Sequence, residues 1–179
     1  MPDEIVDIID HRGRVLHQKP KKAAHAQGLL HATVIGYMRS GTDWILVRQS
    51  ADRQDAGQLV APVGGHVKAG ETELDALLRE SEEEIGTRNI THTFVGKARF
   101  HRQVIGRDEN HLFVVYEIAT DDEIVLGDEA DSWERFTEAE FRRALQKAPD
   151  NFGEACYFVL ETFYPDYLPP GWIRRWNNR

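Results

Sequence analysis

A single cysteine, Cys156, stands among the 179 residues, so an internal disulfide is excluded. One thiol suits a reducing compartment, and a cytoplasmic location is expected. Cys156 lies in the apolar run Cys156-Tyr157-Phe158-Val159-Leu160, which reads as packing rather than catalysis. No apolar stretch approaches the roughly 20 residues that span a bilayer, and the acidic N-terminus does not resemble a signal peptide. No membrane partner is expected. Positive charge is also scarce: 22 Lys and Arg face 30 Asp and Glu, for a net charge of −8. That balance disfavours nucleic-acid polymers and anionic membranes. A polyanionic substrate would have to be met locally, by a metal ion and a few arginines. Internal repeats and low-complexity segments are missing too. A hydrophobic content of 41% with 29% charged residues is ordinary globular composition, and the length fits one domain over residues 1–179 with a substantial core.

What is present is concentrated in residues 65–87. There Gly65, Glu71, Arg79, Glu80, Glu83, Glu84 and Gly86 fall in the spacing G-x5-E-x7-R-E-x2-E-E-x-G. Seven residues at about 7% usage each coincide with a probability on the order of 10⁻⁸. The spacing predicts a helix that opens at Thr72 or Glu71 and closes at Gly86, where a left-handed cap suits glycine. Leu74, Leu78, Ser81 and Ile85 would form its mostly apolar face. Glu80, Glu83 and Glu84 gather on the other side at i, i+3 and i+4, where like charges repel by roughly 0.2–0.5 kcal/mol per pair. A hard cation would remove that repulsion and use the oxygens as ligands; a solvated acidic face is the plain alternative. The preceding Gly64-Gly65-His66 leaves room for a phosphate or a metal-bound carbonyl. Arg79 has the planar fork to hold Glu71 and pin loop to helix.

This pattern resembles the box of the Nudix hydrolases, which cleave diphosphate linkages with divalent cations. The resemblance implies an α/β fold, an α/β/α sandwich with a mixed β-sheet between helices. It implies Mg²⁺ or Mn²⁺ held by Glu80, Glu83, Glu84 and the Gly65 carbonyl, with Glu71 and Arg79 orienting the loop. Glu83, Glu84, Glu129 and Arg79 are the implied catalytic residues, and Arg48, Gly64 and His66 the substrate-binding ones. The general base stays open among Glu83, Glu129 and Glu109, and Arg53 and Arg107 are further phosphate candidates. Ser81 and Thr87 depart from the family's bulky aliphatics, and Ser81 needs a partner such as the carbonyl one turn back.

Beyond the box, Gly28-Leu29-Leu30-His31, Leu46-Val47-Arg48-Gln49-Ser50 and Val63-Gly64-Gly65-His66-Val67 extend the likeness across about residues 4–145 and resemble the branch related to isopentenyl diphosphate isomerase. That isomerase has a cysteine where this chain has Gly64, and it usually lacks the intact box, so hydrolysis is the stronger reading. It binds a metal through histidines, and His25, His31 and His66 fall at matching positions, with Asp108 and Asn110 only half supplying the acidic partners. Hydrogen-bonded structural histidines and a transition-metal site are both open readings. The resemblance implies a small-molecule diphosphate as substrate, a nucleoside diphosphate derivative or a nucleotide. Tyr37, Trp44 and Phe100 would clamp a base or simply fill the core. Isomerase-like chemistry and a catalytically silent nucleotide sensor remain the alternatives.

The rest of the chain reads as a hairpin around Arg12-Gly13, a basic loop at Lys19–Lys22, and strands at Leu29–Met38, Trp44–Gln49 and Leu59–Val63. Further strands fall at Thr91–Phe100 and Leu112–Ile118 around a polar loop at Gly106–Asn110, with another at Ile124–Leu126. Thr137 and Glu140 predict a capping box for a helix to about Lys147. A last helix runs from about Phe152 to Tyr164, stopped by Pro165. The tail 165–179 carries Trp172, Trp176, Arg174, Arg175 and Arg179, which reads as a strap on the body or on the second subunit of a homodimer, or as a ligand contact.

Overall fold

Residues 3–104 and 106–172 are described by the computed structural model. The expected hairpin opens the chain, with β1 (Ile5–Ile9) antiparallel to β2 (Val15–Pro20). Asp10 Oδ1 accepts the Arg12 and Arg14 amides at 2.8 and 3.0 Å, and Gly13 takes the left-handed φ of 78° that the turn requires. The segment expected as a basic loop, Lys19–Lys22, instead ends β2 and opens α1 (Lys21–Ala26). Ala24 packs under Val6 and Ile8, and this burial supports a helix too short to persist alone.

The sheet is built on β3 (His31–Ser40). One edge of β3 runs parallel to β8 (Arg107–Ala119), from His31↔His111 to Met38↔Ile118. The other edge takes β1, β6 (Val63–His66) and β4 (Asp43–Gln49) in turn, all antiparallel. β4 also pairs with β5 (Leu59–Val60) and β9 (Ala130–Phe136), and β7 (Thr91–Val104) pairs with β8, completing a mixed nine-stranded sheet. Alternation along β3 and β8 sorts side chains to two faces. Val34, Met38, Val114, Tyr116 and Ile118 pack on the side of α2 (Glu73–Ile85). Tyr37, Phe113 and Val115 pack with Phe141 and Leu145 of α3 (Glu138–Lys147) and with Tyr157–Leu160 of α4 (Glu154–Phe163). The result is the expected α/β/α sandwich.

Several boundaries differ from the sequence reading. The polar segment 106–110 is not a loop: Arg107 through Asn110 extend β8, paired to Val104 through His101. Its charges are satisfied across the hairpin, Arg102 to Glu109 at 2.9 Å and His101 to Asp108, the cross-strand pairing that offsets poor strand propensity. Ile124–Leu126 forms no strand; Val125 N donates to Ile85 O and Gly127 N to Glu84 O, closing the end of α2. β9 was missed because its sequence is polar and leaves Trp133 exposed. On α2 the buried stripe is Ala76, Leu77, Ser81 and Ile85, while Leu74 is 38% exposed. Helix ends follow the predicted chemistry. Thr72 Oγ1 caps Asp75 N at 3.1 Å, Gly86 ends α2 at φ 79°, and Thr137 with Glu140 makes a reciprocal capping box, each cap contributing about 1 kcal/mol. Ser81 Oγ donates to the Leu77 carbonyl one turn back at 2.7 Å.

Tyr37, Phe100 and Trp44 are 1%, 3% and 0% exposed. All three belong to the core, so none stands free as a clamp, though Tyr37 and Phe100 also line the cavity beside α2. Trp172 stacks on Tyr157 at 4.6 Å and donates to Glu161 at 2.6 Å, so the tail begins as a strap on the body. Arg174, Arg175, Trp176 and Arg179 lie outside the described residues. No helix among the described residues is long and apolar enough to cross a membrane.

Candidate active site

The glycine pair sits on β6, held by β3 through the pairs Ile35↔Gly64 and Val34↔Gly65. Antiparallel pairing fixes the strand while α2 packs across it. Gly65 has no space for a side chain: a Cβ there would fall 2.0 Å from the Glu80 carboxyl carbon. One position earlier, Gly64 N donates to Glu84 Oε2 at 2.6 Å. Glycine at 65 is thus what lets Glu80 lie directly against the strand, while the Gly64 amide holds Glu84 beside it.

Arg79 holds this arrangement in register. Its Nε and Nη2 donate to the two Glu71 oxygens at 2.9 and 3.0 Å. Nη1 reaches Glu80 at 2.6 Å, and Nη2 also donates to the His66 carbonyl at 2.9 Å. Glu71 in turn accepts the Lys68 amide at 3.0 Å. The guanidinium therefore ties helix, loop and strand together, and it is occupied in doing so. This geometry suits orienting the loop better than contacting a substrate.

The electrostatics follow from burial. Glu84 is pushed well above the usual carboxylate range by desolvation, which the Gly64 amide opposes and the charges of Glu80, Glu129 and Glu83 reinforce. Glu80 is raised for the same first reason, against the pull of Arg79. For Glu71, burial also pushes upward, but the Arg79 and Lys68 hydrogen bonds outweigh it and the carboxyl falls below its ordinary range. Arg79 is raised, first by its hydrogen bond to Glu71.

Glu80, Glu83, Glu84, Gly64 and Gly65 all open onto a cavity of about 1330 Å³. Glu129 lines it too, ion-paired to Arg53 at 3.0 Å. It is brought there by the loop that caps α2, since a Cβ on Gly127 would lie 2.3 Å from the Glu83 carbonyl oxygen. Ile35, Tyr37, Phe100 and Phe113 form an apolar floor, and Arg102 and Arg107 stand on the wall. Arg102 is committed to Asp55 through two 3.2 Å bonds and to Glu109 at 2.9 Å. Burial works against its charge, but these carboxylates more than compensate and its pKa is raised. Gln54 bridges Glu109 and Arg107 at 3.2 and 2.8 Å.

Not every expected residue arrives. Arg48 points away from the cavity that its neighbours Val47 and Gln49 line, as strand alternation requires. It donates to the Gly57 carbonyl at 2.6 Å and pairs with Glu134. His66 joins a cluster with His25, His31 and His111. Burial lowers all four imidazoles, His31 to about 4, so they are neutral near pH 7. Cys156 reaches the cavity floor, but burial pushes its thiol up to about 12, which removes the thiolate a nucleophile needs. Sequence reasoning missed Gln54 and Asp55, which the segment between β4 and β5 brings to the site, and Arg102 and His111, which arrive on β7 and β8.

The NUDIX domain family model matches residues 29–156. A stretch of 94 residues is 40% identical to an uncharacterized Nudix hydrolase of Streptomyces coelicolor, covering 49% of this chain and 50% of that protein. Another, of 102 residues, is 32% identical to an uncharacterized Nudix hydrolase of Yersinia pestis and covers 56% of each. The chain thus spans about half the length of the curated relatives it matches. Among solved structures, a Deinococcus radiodurans protein superposes with a TM-score of 0.71 at 19% identity, over 90% of this chain and 99% of that one. The MutT protein from Methanosarcina mazei Go1 gives 0.61 at 18% identity, over 76% and 94%. At such identities the likeness is one of fold.

Proposed function

The chain belongs to the Nudix family, and from that premise we propose that it is a metal-dependent pyrophosphohydrolase, cleaving the diphosphate linkage of a nucleoside diphosphate derivative or nucleotide. One observation carries this reading: Glu80, Glu83 and Glu84 converge beside Gly64 and Gly65 on the wall of the large cavity. The donor set is all oxygen, which suits Mg²⁺ or Mn²⁺. Two features fit such an ion. The Glu84 carboxyl is raised by burial and by its acidic neighbours, a situation a divalent cation relieves. Glycine at 65 keeps the backbone close to the Glu80 carboxylate. When bound, the ion neutralises the diphosphate and acidifies a coordinated water.

The chain's own residues then do the rest. The oxygen of water bonds to phosphorus as the bridging P–O bond breaks, and the electron pair leaves with the departing phosphate oxygen. Glu83 or Glu129, both on the cavity wall, takes the proton. Arg79 and Glu71 hold the loop so that these groups stay in register. Arg53 and Arg107 face the phosphates, and the apolar floor receives the attached group. The buried, neutral thiol of Cys156 takes no part.

Purified protein with Mg²⁺ or Mn²⁺, screened against nucleoside triphosphates, dinucleoside polyphosphates and nucleotide sugars, tests the reading. Turnover of at least one compound is expected. A folded, metal-binding protein that turns over none would instead favour the silent sensing module.

A further inference from the structure

His25 on α1, His31 at the start of β3, His66 at the end of β6 and His111 on β8 converge from four separate elements. One ligating atom from each lies within 4.8 Å of the others. His31 sets the chemistry. Its Nδ1 is 2.7 Å from the Leu29 carbonyl, so Nδ1 carries the proton and Nε2 presents a lone pair. His31 is 0% exposed, and its Nε2 has no hydrogen-bond partner among the described residues. A buried acceptor left unmatched in this way is rare in a native fold.

The other rings do not account for themselves as hydrogen-bonded structural histidines. His25 Nε2 stands 3.2 Å from His111 Nε2 and 3.3 Å from His66 Nε2. A neutral imidazole nitrogen carries one proton or one lone pair, so this contact divides a single hydrogen-bonding site between two rings. A metal resolves both problems at once. Nitrogens around a tetrahedral ion with bonds of 2.0–2.1 Å lie about 3.3 Å apart, which is the spacing of these pairs.

We propose that His25, His31, His66 and His111 form a second metal centre, whose His25, His66 and His111 line the same cavity as the glutamates, and which binds one zinc ion through four imidazole nitrogens. Neutral nitrogen donors disfavour Mg²⁺ and Ca²⁺, which take oxygen ligands, and select a borderline-soft transition ion. Four protein ligands close a tetrahedron and leave no position for a reacting water, so the centre is structural. Glu109 is near enough to act on His25 and His31 electrostatically and offsets part of the ion's charge. The ion ties α1 to the sheet. Through His66, whose carbonyl accepts from Arg79 at 2.9 Å, it also steadies the strand that carries Gly64 and Gly65.

The test is metal content, followed by the ion's coordination shell. Wild-type protein loaded with zinc and desalted should retain one ion per chain, and Glu80→Gln with Glu84→Gln should retain it equally. His31→Gln and His111→Gln should each lower retention at least tenfold, with circular dichroism reporting whether they fold. X-ray absorption of the zinc-loaded wild type, which does not depend on any variant folding, should give a shell of four imidazole nitrogens. The proposal is overturned if the wild type retains no zinc. It is equally overturned if the glutamate variants lose the ion while folded histidine variants keep it, or if the shell is oxygen.

Discussion

Gly65→Ala should damage catalysis far more than folding, and Gly64→Ala should damage neither. At 65 the new Cβ would lie 2.0 Å from the Glu80 carboxyl carbon and from Oε1. Ordinary contact begins near 3.4 Å, so the carboxylate must retreat by about 1.4 Å. Glu80 is the far end of a flexible side chain, so it can move, but it then loses the 2.6 Å bond to Arg79. A charge-assisted bond of this kind contributes about 1.5–3 kcal/mol, and the stiffer unfolded chain of an alanine variant offsets about 0.4–1 kcal/mol. The net loss should be roughly 1–2 kcal/mol, small enough to leave the protein folded. A displacement of about 1 Å at a reacting centre costs on the order of 10²-fold in rate, so kcat should fall by about that factor. At 64 the nearest atom to a new Cβ is Ile35 Cδ1 at 3.5 Å, an ordinary contact, and the amide still reaches Glu84. Steady-state turnover on the best panel substrate, with thermal midpoints taken with and without Mg²⁺, measures both effects. A Gly65→Ala protein with wild-type kcat and a wild-type metal response would refute the argument, as would equal damage from Gly64→Ala.

Arg79→Lys keeps the charge but loses the fork to Glu71; it should lower kcat, and adding Glu71→Gln should cost little more, whereas fully additive losses would mean that the two act independently. Gly127→Ala should lower the thermal midpoint, losing about 1–3 kcal/mol by overpacking, because its Cβ would meet the Glu83 carbonyl oxygen at 2.3 Å; an unchanged midpoint would show that the loop bearing Glu129 yields freely. Cys156 should resist thiol reagents at pH 8 until the protein unfolds, since burial holds its thiol up to about 12, and rapid labelling of the folded protein would contradict that burial. Cys156→Ala should cost about 1 kcal/mol and remain active; complete loss of activity in a folded variant would count against the mechanism.

The part of the site legible in the sequence was the part written locally. Glu71, Arg79, Glu80, Glu83 and Glu84 lie within two helical turns of one another or at the mouth of the same loop, so spacing alone predicts their neighbourhood. Caps behaved likewise, since Thr72 and Thr137 cap amides three residues on and Gly86 and Pro165 stand within two residues of the helix ends they mark. What failed depended on distant pairing. His111 opens an apolar strand and looks like its polar end; only the parallel register with His31 makes it the fourth member of a cluster. Asp55 and Arg102 meet across 47 residues of sequence. β9 carries no strand signal of its own and is held by the backbone of β4. Arg48 was misread in the opposite way: its type suited phosphate, but alternation on β4 turned it to the other face, toward Glu134.

The central claim is that the glutamate face directs water onto phosphorus. Running the best panel substrate in H₂¹⁸O with Mg²⁺, for wild type and Glu84→Gln, tests it most directly. The account predicts that the wild type places ¹⁸O on a phosphate product, and that Glu84→Gln loses most of the turnover together with the metal-induced rise in thermal midpoint. A product without ¹⁸O on phosphorus, or a Glu84→Gln protein that turns over like the wild type, would contradict it.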